Sequence, residues 1–306
     1  MDSIFTPDLW ILVTLAAAVF QTGRFMLQKH LATDTLSAGG ATFSRFLYSA
    51  PFVALLLPLY LGLSRQGLPA LGPGFWLYGV MGGTAQIMAT VCVVMLFKQR
   101  NFAVGITFKK TEVIQTVLMG WVVLGEGVSG AGFAAIALGV VGLLLLSGGA
   151  EAKGLRLADL RNRAAGLGIA SGFLFAISAV CYRGASLAVV SDDPLLRAGV
   201  TLAAVVLMQT LIMAVWLRLR EPGQMRRVWA ARRVAVWIGL TSMGGSLCWF
   251  IAFTLQNAAY VKALGQVELM LSIAASTLFF REHISRREWA GMAVLALSIL
   301  MLVLVT

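Results

Sequence analysis

The chain has 306 residues, of which 59% are hydrophobic and only 12% charged. A soluble globular domain carries about 25% charged residues, so this composition excludes an ordinary soluble domain and predicts a polytopic membrane protein. The formal net charge of +11 falls mostly in short loops between apolar runs, where membrane topology explains it better than nucleic-acid binding does.

Ten apolar runs of about the length that spans a bilayer follow in order: 8–28, 43–61, 75–97, 102–124, 130–147, 165–187, 195–217, 234–255, 259–280 and 287–305. The first lacks a basic leader and is long enough to span, so no cleavable signal peptide is expected. None alternates with period two, as a barrel strand would. "GLSRQGLPALGPG" (62–74) and "LREPGQMRRVWAARR" (219–233) mark breaks between spans. The 32 glycines read first as helix-packing residues. Cys92, Cys181 and Cys248 lie inside apolar runs and suggest neither a disulfide framework nor a metal site.

Lysine and arginine predict the orientation. The basic loops hold Lys29, then Lys98 and Arg100, then Lys153, Arg156, Arg161 and Arg163. Arg218, Arg220, Arg226, Arg227, Arg232 and Arg233 follow between spans 7 and 8, and Arg281, Arg286 and Arg287 between spans 9 and 10. The opposite side holds little beyond Arg65, so both termini are expected outside the cytoplasm.

A gapless shift of 156 residues aligns parts of the chain with itself. Gly83 falls on Gly239, Cys92 on Cys248, Phe97 on Phe253, Asn101 on Asn257, Glu112 on Glu268 and Glu126 on Glu282. Each copy has five spans, an odd number, so the second must enter the membrane from the other side. The expected fold is an all-α membrane protein of ten transmembrane helices in two inverted five-helix repeats, 1–150 and 151–306. Secondary transporters are commonly built this way, with the substrate site at the midplane between repeats.

The segments "VLMGWVVLGEGVSGAGFAAIALGVVGLLLL" (117–146) and "ASTLFFREHISRREWAGMAVLALSILMLVL" (274–303) carry a family resemblance. In each, an acid ends one helix, a polar turn follows, and a Gly/Ala-rich helix comes next. The pattern resembles the drug/metabolite transporter superfamily, EamA-type branch, which implies a membrane transporter, not an enzyme. Members commonly carry a proline partway along helices 4 and 9; here 102–124 and 259–280 contain none. Members also usually keep both termini in the cytoplasm, the reverse of the orientation expected from the loops.

Charges within apolar spans are costly, by about 2.5–3.5 kcal/mol at the bilayer centre, and mark functional sites by default. The stretch "FKKTEVIQ" (108–115) sets Glu112 about halfway along span 4, and Glu268 matches it in span 9. At 100° per residue, Lys109, Glu112, Gln115 and Thr116 share one face, and Lys109 can pair with Glu112. Lys109 and Lys110 align with Gly265 and Gln266, so the glutamates are common to both halves and the lysines are not.

The candidate substrate-binding residues are therefore Arg24, Gln86, Lys109, Lys110, Glu112, Gln115, Trp249, Tyr260 and Glu268. Glu112 and Glu268 are also candidates for carrying a coupled proton, since burial raises a glutamate's pKa toward neutrality. Simpler readings stand beside these. Lys29, Lys262, Arg183, Arg45 and Arg197 lie near span ends and read first as cations reaching the interface. Glu126 and Glu282 read as caps or partners of a neighbouring helix, and Trp249, Tyr182 and Tyr260 as packing or interface aromatics. Glu112 could be a purely structural partner of Lys109 or Arg24.

With only His30 and His283, no HExxH zinc pair is present; nor is there a GxxxxGK[ST] loop or a Ser/His/Asp grouping. No cofactor or metal is expected. The function expected is secondary active transport of a small polar or zwitterionic metabolite by alternating access. The alternatives are a lipid or polyprenyl-phosphate flippase, which needs a cavity open sideways to the bilayer, and a non-transporting scaffold, which needs none. The expected partners are a small-molecule substrate, the lipid bilayer and a coupled proton, with no nucleic acid. The chain is expected as a monomer or homodimer in a bacterial inner membrane.

Overall fold

In the computed structural model the described residues are 8–34, 36–97, 99, 105, 108–147, 163–280 and 285–306. Lys98, Arg100, Lys153, Arg156, Arg161, Arg281, Glu282 and His283 lie outside them, as do the repeat boundary at 150 and the side chains of Lys29, His30 and Ser272. The described residues form twelve helices and no strands: α1 (Leu9–Asp34), α2 (Ala38–Ser64), α3 (Phe75–Phe97), α4 (Glu112–Leu124), α5 (Gly130–Ser147), α6 (Arg163–Leu187), α7 (Pro194–Arg220), α8 (Gln224–Ala230), α9 (Arg232–Leu255), α10 (Ala258–Leu264), α11 (Val267–Phe280) and α12 (Arg286–Val305).

Seven of these helices are long and apolar enough to cross a membrane: α1, α2, α3, α6, α7, α9 and α12. The other three predicted spans depart from that length for identifiable reasons. Of 102–107 only residue 105 is described, so span 4 is seen continuously from 108 onward. Span 5 appears as the shorter apolar helix α5. Span 9 is not one helix but two, α10 and α11, parted by a turn at Gly265 and Gln266.

That turn corrects the expectation of a continuous span. The amides of Gln266, Glu268 and Leu269 bond three residues back, to Ala263, Gly265 and Gln266, in place of the four-residue reach of an α-helix. A comparable turn precedes α4, where the Thr111 amide bonds to the Phe108 carbonyl. Glu112 and Glu268 consequently sit in the first turn of the helices that follow, not in the middle of unbroken spans. A carboxylate there is favoured by the positive end of the helix dipole.

Local signals set the other ends. Ser37 accepts the Gly40 amide at 2.9 Å to start α2, and Asp193 with Pro194 starts α7. Ser285 and Glu288 close a capping box on α12. The break read at 219–233 contains α8, a helix of seven residues that follows Gly223, whose φ is +89°.

The helices pack chiefly as α1 on α9, α3 on α6 and α5 on α12, with α2 between α7 and α9. Small residues allow these approaches. A Cβ on Gly142 would lie 2.8 Å from the Leu295 amide nitrogen, and one on Gly291 would lie 2.9 Å from that of Leu146. At one end of the bundle the loops are tied together. Gly72 and Val190 exchange backbone bonds with Ala188 and Ala70, and Asn257 donates to the Gly127 carbonyl. At the other end the Ser37 hydroxyl donates to Glu221.

Candidate functional site

α6 brings the turn before α4 into the interior. A Cβ on Gly172 would lie 2.9 Å from both the Lys109 carbonyl and the Gln115 side-chain oxygen, so only glycine leaves room for this contact. With the turn seated there, Lys109, Lys110 and Glu112 are all buried. Glu112 accepts from Lys262 at 2.6 Å and lies 3.5 Å from Lys109. Lys262 stands over the Trp249 ring at 5.0 Å and Lys109 over Phe175 at 5.2 Å. Such contacts offset part of the cost of desolvating an ammonium.

Beside this cluster lies a small polar cavity with about 30 Å³ of free space. Gln21 and Arg24 of α1, Arg45 of α2 and Gln86 of α3 line it from one side; Tyr182 of α6, Trp249 of α9 and Lys262 of α10 line it from the other. A second polar pocket, packed too tightly to hold a water, reaches α7 at Gln209 and shares Arg45, Gln86, Ser246 and Phe250 with it.

A polar chain runs along the wall. Trp249 donates to Gln21 at 3.2 Å, and Gln21 donates to Glu268 at 2.5 Å. Tyr182 and Gln209 both donate to the Gln86 side-chain oxygen, at 3.0 and 2.9 Å. Lys110 faces Glu268 electrostatically, with Lys109, Glu112 and Lys262 nearby.

Seven of the nine sequence candidates thus meet at one place: Arg24, Gln86, Lys109, Lys110, Glu112, Trp249 and Glu268. Two do not. Tyr260 points away to the α5 end, where its hydroxyl accepts the Ser129 amide at 2.9 Å. Gln115 lies against Gly172 in the contact between α4 and α6.

Two cations read as interfacial are instead internal. Arg45 is 4% exposed and donates to the hydroxyls of Ser242, Thr90 and Ser246. Lys262 pairs with Glu112. Arg183 is also engaged within the protein. It binds Glu126 at 2.7 and 2.9 Å and donates to the carbonyls of Phe253 and Gln256, tying α6 to the end of α9. Arg197 donates to the carbonyls of Leu187 and Val189 at the end of α6. Gln209 is a cavity-side residue that the sequence does not reveal, because a single polar residue in an apolar run resembles a packing residue.

Asp193, in the loop before α7, has a pKa moved by its surroundings. Partial burial pushes its carboxyl up. Hydrogen bonds from the Tyr60 hydroxyl and from the amides of Leu196 and Leu195 outweigh this and hold it below its ordinary range. All three cysteines are free, and no cluster of metal ligands occurs among the described residues.

Residues 162–304, from the start of α6 almost to the end of α12, match the EamA-like transporter family. This stretch is similar to an EamA-like transporter domain. With the seven apolar helices, this match supports an integral, multi-pass membrane protein. A solved structure described as a crystal structure of a protein is 15% identical, with a TM-score of 0.71 over 97% of this chain and 96% of that one. At that identity the likeness is one of fold. None of the curated proteins matches the sequence.

Proposed function

We propose that the protein is a secondary active transporter. It moves a small polar or zwitterionic metabolite, an amino acid or organic anion, by alternating access coupled to a proton. Its ten spans form two inverted repeats, residues 1–150 and 151–306. The observation that carries this reading is the charged cavity lined by helices of both halves.

Three further features support it. The shift that aligns Glu112 with Glu268 also aligns two helix breaks, and broken helices form the binding sites of many secondary transporters. The packing of α1 on α9 matches that of α6 on α3, as a two-fold relation between the halves requires. The cavity itself speaks against a scaffold whose charges merely close on one another.

In this reading Arg24, Lys109 and Lys110 form the positive wall that takes an anionic group, with Gln86 and Trp249 flanking the substrate. Glu268 and Glu112 take an amine or exchange the proton. The test is uptake of labelled amino acids and organic acids into proteoliposomes under an imposed pH gradient. Glu112→Gln and Glu268→Gln are expected to abolish pH-driven uptake; full activity in both variants removes the proton role.

A lipid flippase is a second reading with one observation in its favour. An apolar groove of about 140 Å³ runs between α2 and α7, lined by Val53, Leu57, Gly199 and Leu202 among others. Leu202 borders both this groove and the smaller polar space. Lipid scrambling by the purified protein in vesicles, without uptake of soluble metabolites, would favour the flippase.

A further inference from the structure

The carboxylates around the cavity already have partners. Glu112 engages Lys109 and Lys262, while Glu268 accepts from Gln21 and faces Lys110. The two arginines are not matched in this way. Arg45 donates only to hydroxyls. Arg24 is 3% exposed, lines the same cavity, and its Nη1 has no hydrogen-bond partner.

Two guanidinium groups that line one cavity, neither in a salt bridge with a carboxylate among the described residues, repel each other in a medium of low dielectric constant. An anionic occupant relieves that repulsion, and the charge required is about two. One carboxylate supplies half of this. A phosphate monoester carries about −1.5 to −2 near neutral pH with three acceptor oxygens, and the guanidinium fork matches its geometry. Phe175, Trp249, Phe250 and Phe253 line the rest of the cavity, and an apolar body attached to the phosphate meets them when the site opens beyond the roughly 30 Å³ seen here.

We propose that Arg24 and Arg45 form a clamp for a phosphate monoester, which is the charged group of the substrate. This deepens the transporter reading and rests on it. A soluble phosphorylated metabolite and a lipid with a terminal phosphate present the same chemistry to the clamp.

The test is titration calorimetry on the full chain in phosphatidylcholine nanodiscs, with phenyl phosphate and glycerol 3-phosphate against succinate, glutamate and phenylalanine. The phosphate monoesters are expected to bind most tightly. Arg24→Gln and Arg45→Gln should each weaken binding roughly tenfold or more, as expected when a charged hydrogen bond is lost. Arg220→Gln, on an exposed side chain, should change nothing. A readout independent of folding uses the wild type alone: phenyl phosphate should bind more tightly as pH rises through its second pKa, near about 6.

Phosphate binding unchanged in both arginine variants, or absent that pH trend, overturns the clamp. Tighter binding of a carboxylate or zwitterion also overturns it and leaves the transporter reading standing. Failure of every probe both to bind and to enter proteoliposomes overturns the two together. If only nanodiscs containing phosphatidic acid stabilise the protein, through Arg24 and Arg45, the clamp stands and its phosphate is a lipid's.

Discussion

Lys262 and Glu112 meet at 2.6 Å in the protein interior, joining α10 to the start of α4. Lys262 lies in the last turn of its helix and Glu112 in the first turn of its own. Each charge therefore sits at the helix end whose dipole favours it. Lys109 completes a triad with one carboxylate between two ammonium groups.

Removing the shared carboxylate leaves two buried ammonium groups unmatched. Glu112→Gln should lower the unfolding free energy by about 3–5 kcal/mol, the usual cost of breaking a buried pair from one side. Adding Lys262→Met to that variant should restore part of the loss. Denaturation in detergent, followed by tryptophan fluorescence, measures both. Equal stability of wild type and Glu112→Gln would show that the triad is not stabilising.

Arg183 fastens α6 to Glu126 and to the last carbonyls of α9. Arg183→Met leaves those acceptors without their donor. The expected loss is about 1–3 kcal/mol, and amide exchange near residues 256–260 should quicken. Hydrogen exchange with mass spectrometry reads this directly; unchanged protection there would contradict the latch.

The contact of α5 with α12 depends on glycine. A Cβ on Gly142 would meet the Leu295 amide nitrogen at 2.8 Å, which is backbone and cannot step aside. Gly142→Leu should cost about 1–3 kcal/mol through overpacking. Gly127→Leu, at a glycine with open space around it, should cost much less. Melting temperatures of the two variants test the difference.

Asp193 caps α7 through the amides of Leu195 and Leu196 and accepts the Tyr60 hydroxyl at 2.5 Å. Its folded pKa is depressed, so the stability it adds is full above the unfolded value of about 3.9. That contribution is lost as pH falls through the lower, folded value. Asp193→Ala should therefore cost about 0.5–2 kcal/mol at neutral pH. The gap from wild type should close in acid below about pH 4.

The apolar helices and the charged cluster were legible in the sequence because hydropathy and isolated charges are local signals. The helix breaks were not. "FKKTEV" contains no proline or glycine, so a run of hydropathy passes through the turn as if it were helix. Gly265 was a signal in the second break, but a lone glycine in an apolar run reads first as a packing residue. Arg45 was misjudged for a different reason. The apolar run starts at 43, which sets Arg45 at a membrane edge. The helix starts at Ala38, under its Ser37 cap, and that places Arg45 two turns inside. Lys262 was hidden likewise, since its closeness to the cavity depends on α10 ending at the break.

The central claim is that the cavity between the two halves is a transport site reached alternately from each face. Ser246→Cys, at the cavity wall, placed in a chain with Cys92, Cys181 and Cys248 replaced, tests it most directly. The protein is reconstituted in one orientation and treated with a membrane-impermeant thiol reagent from each side separately. Labelling of that cysteine from both sides is the predicted result; labelling from neither side, or from one alone, would contradict the account.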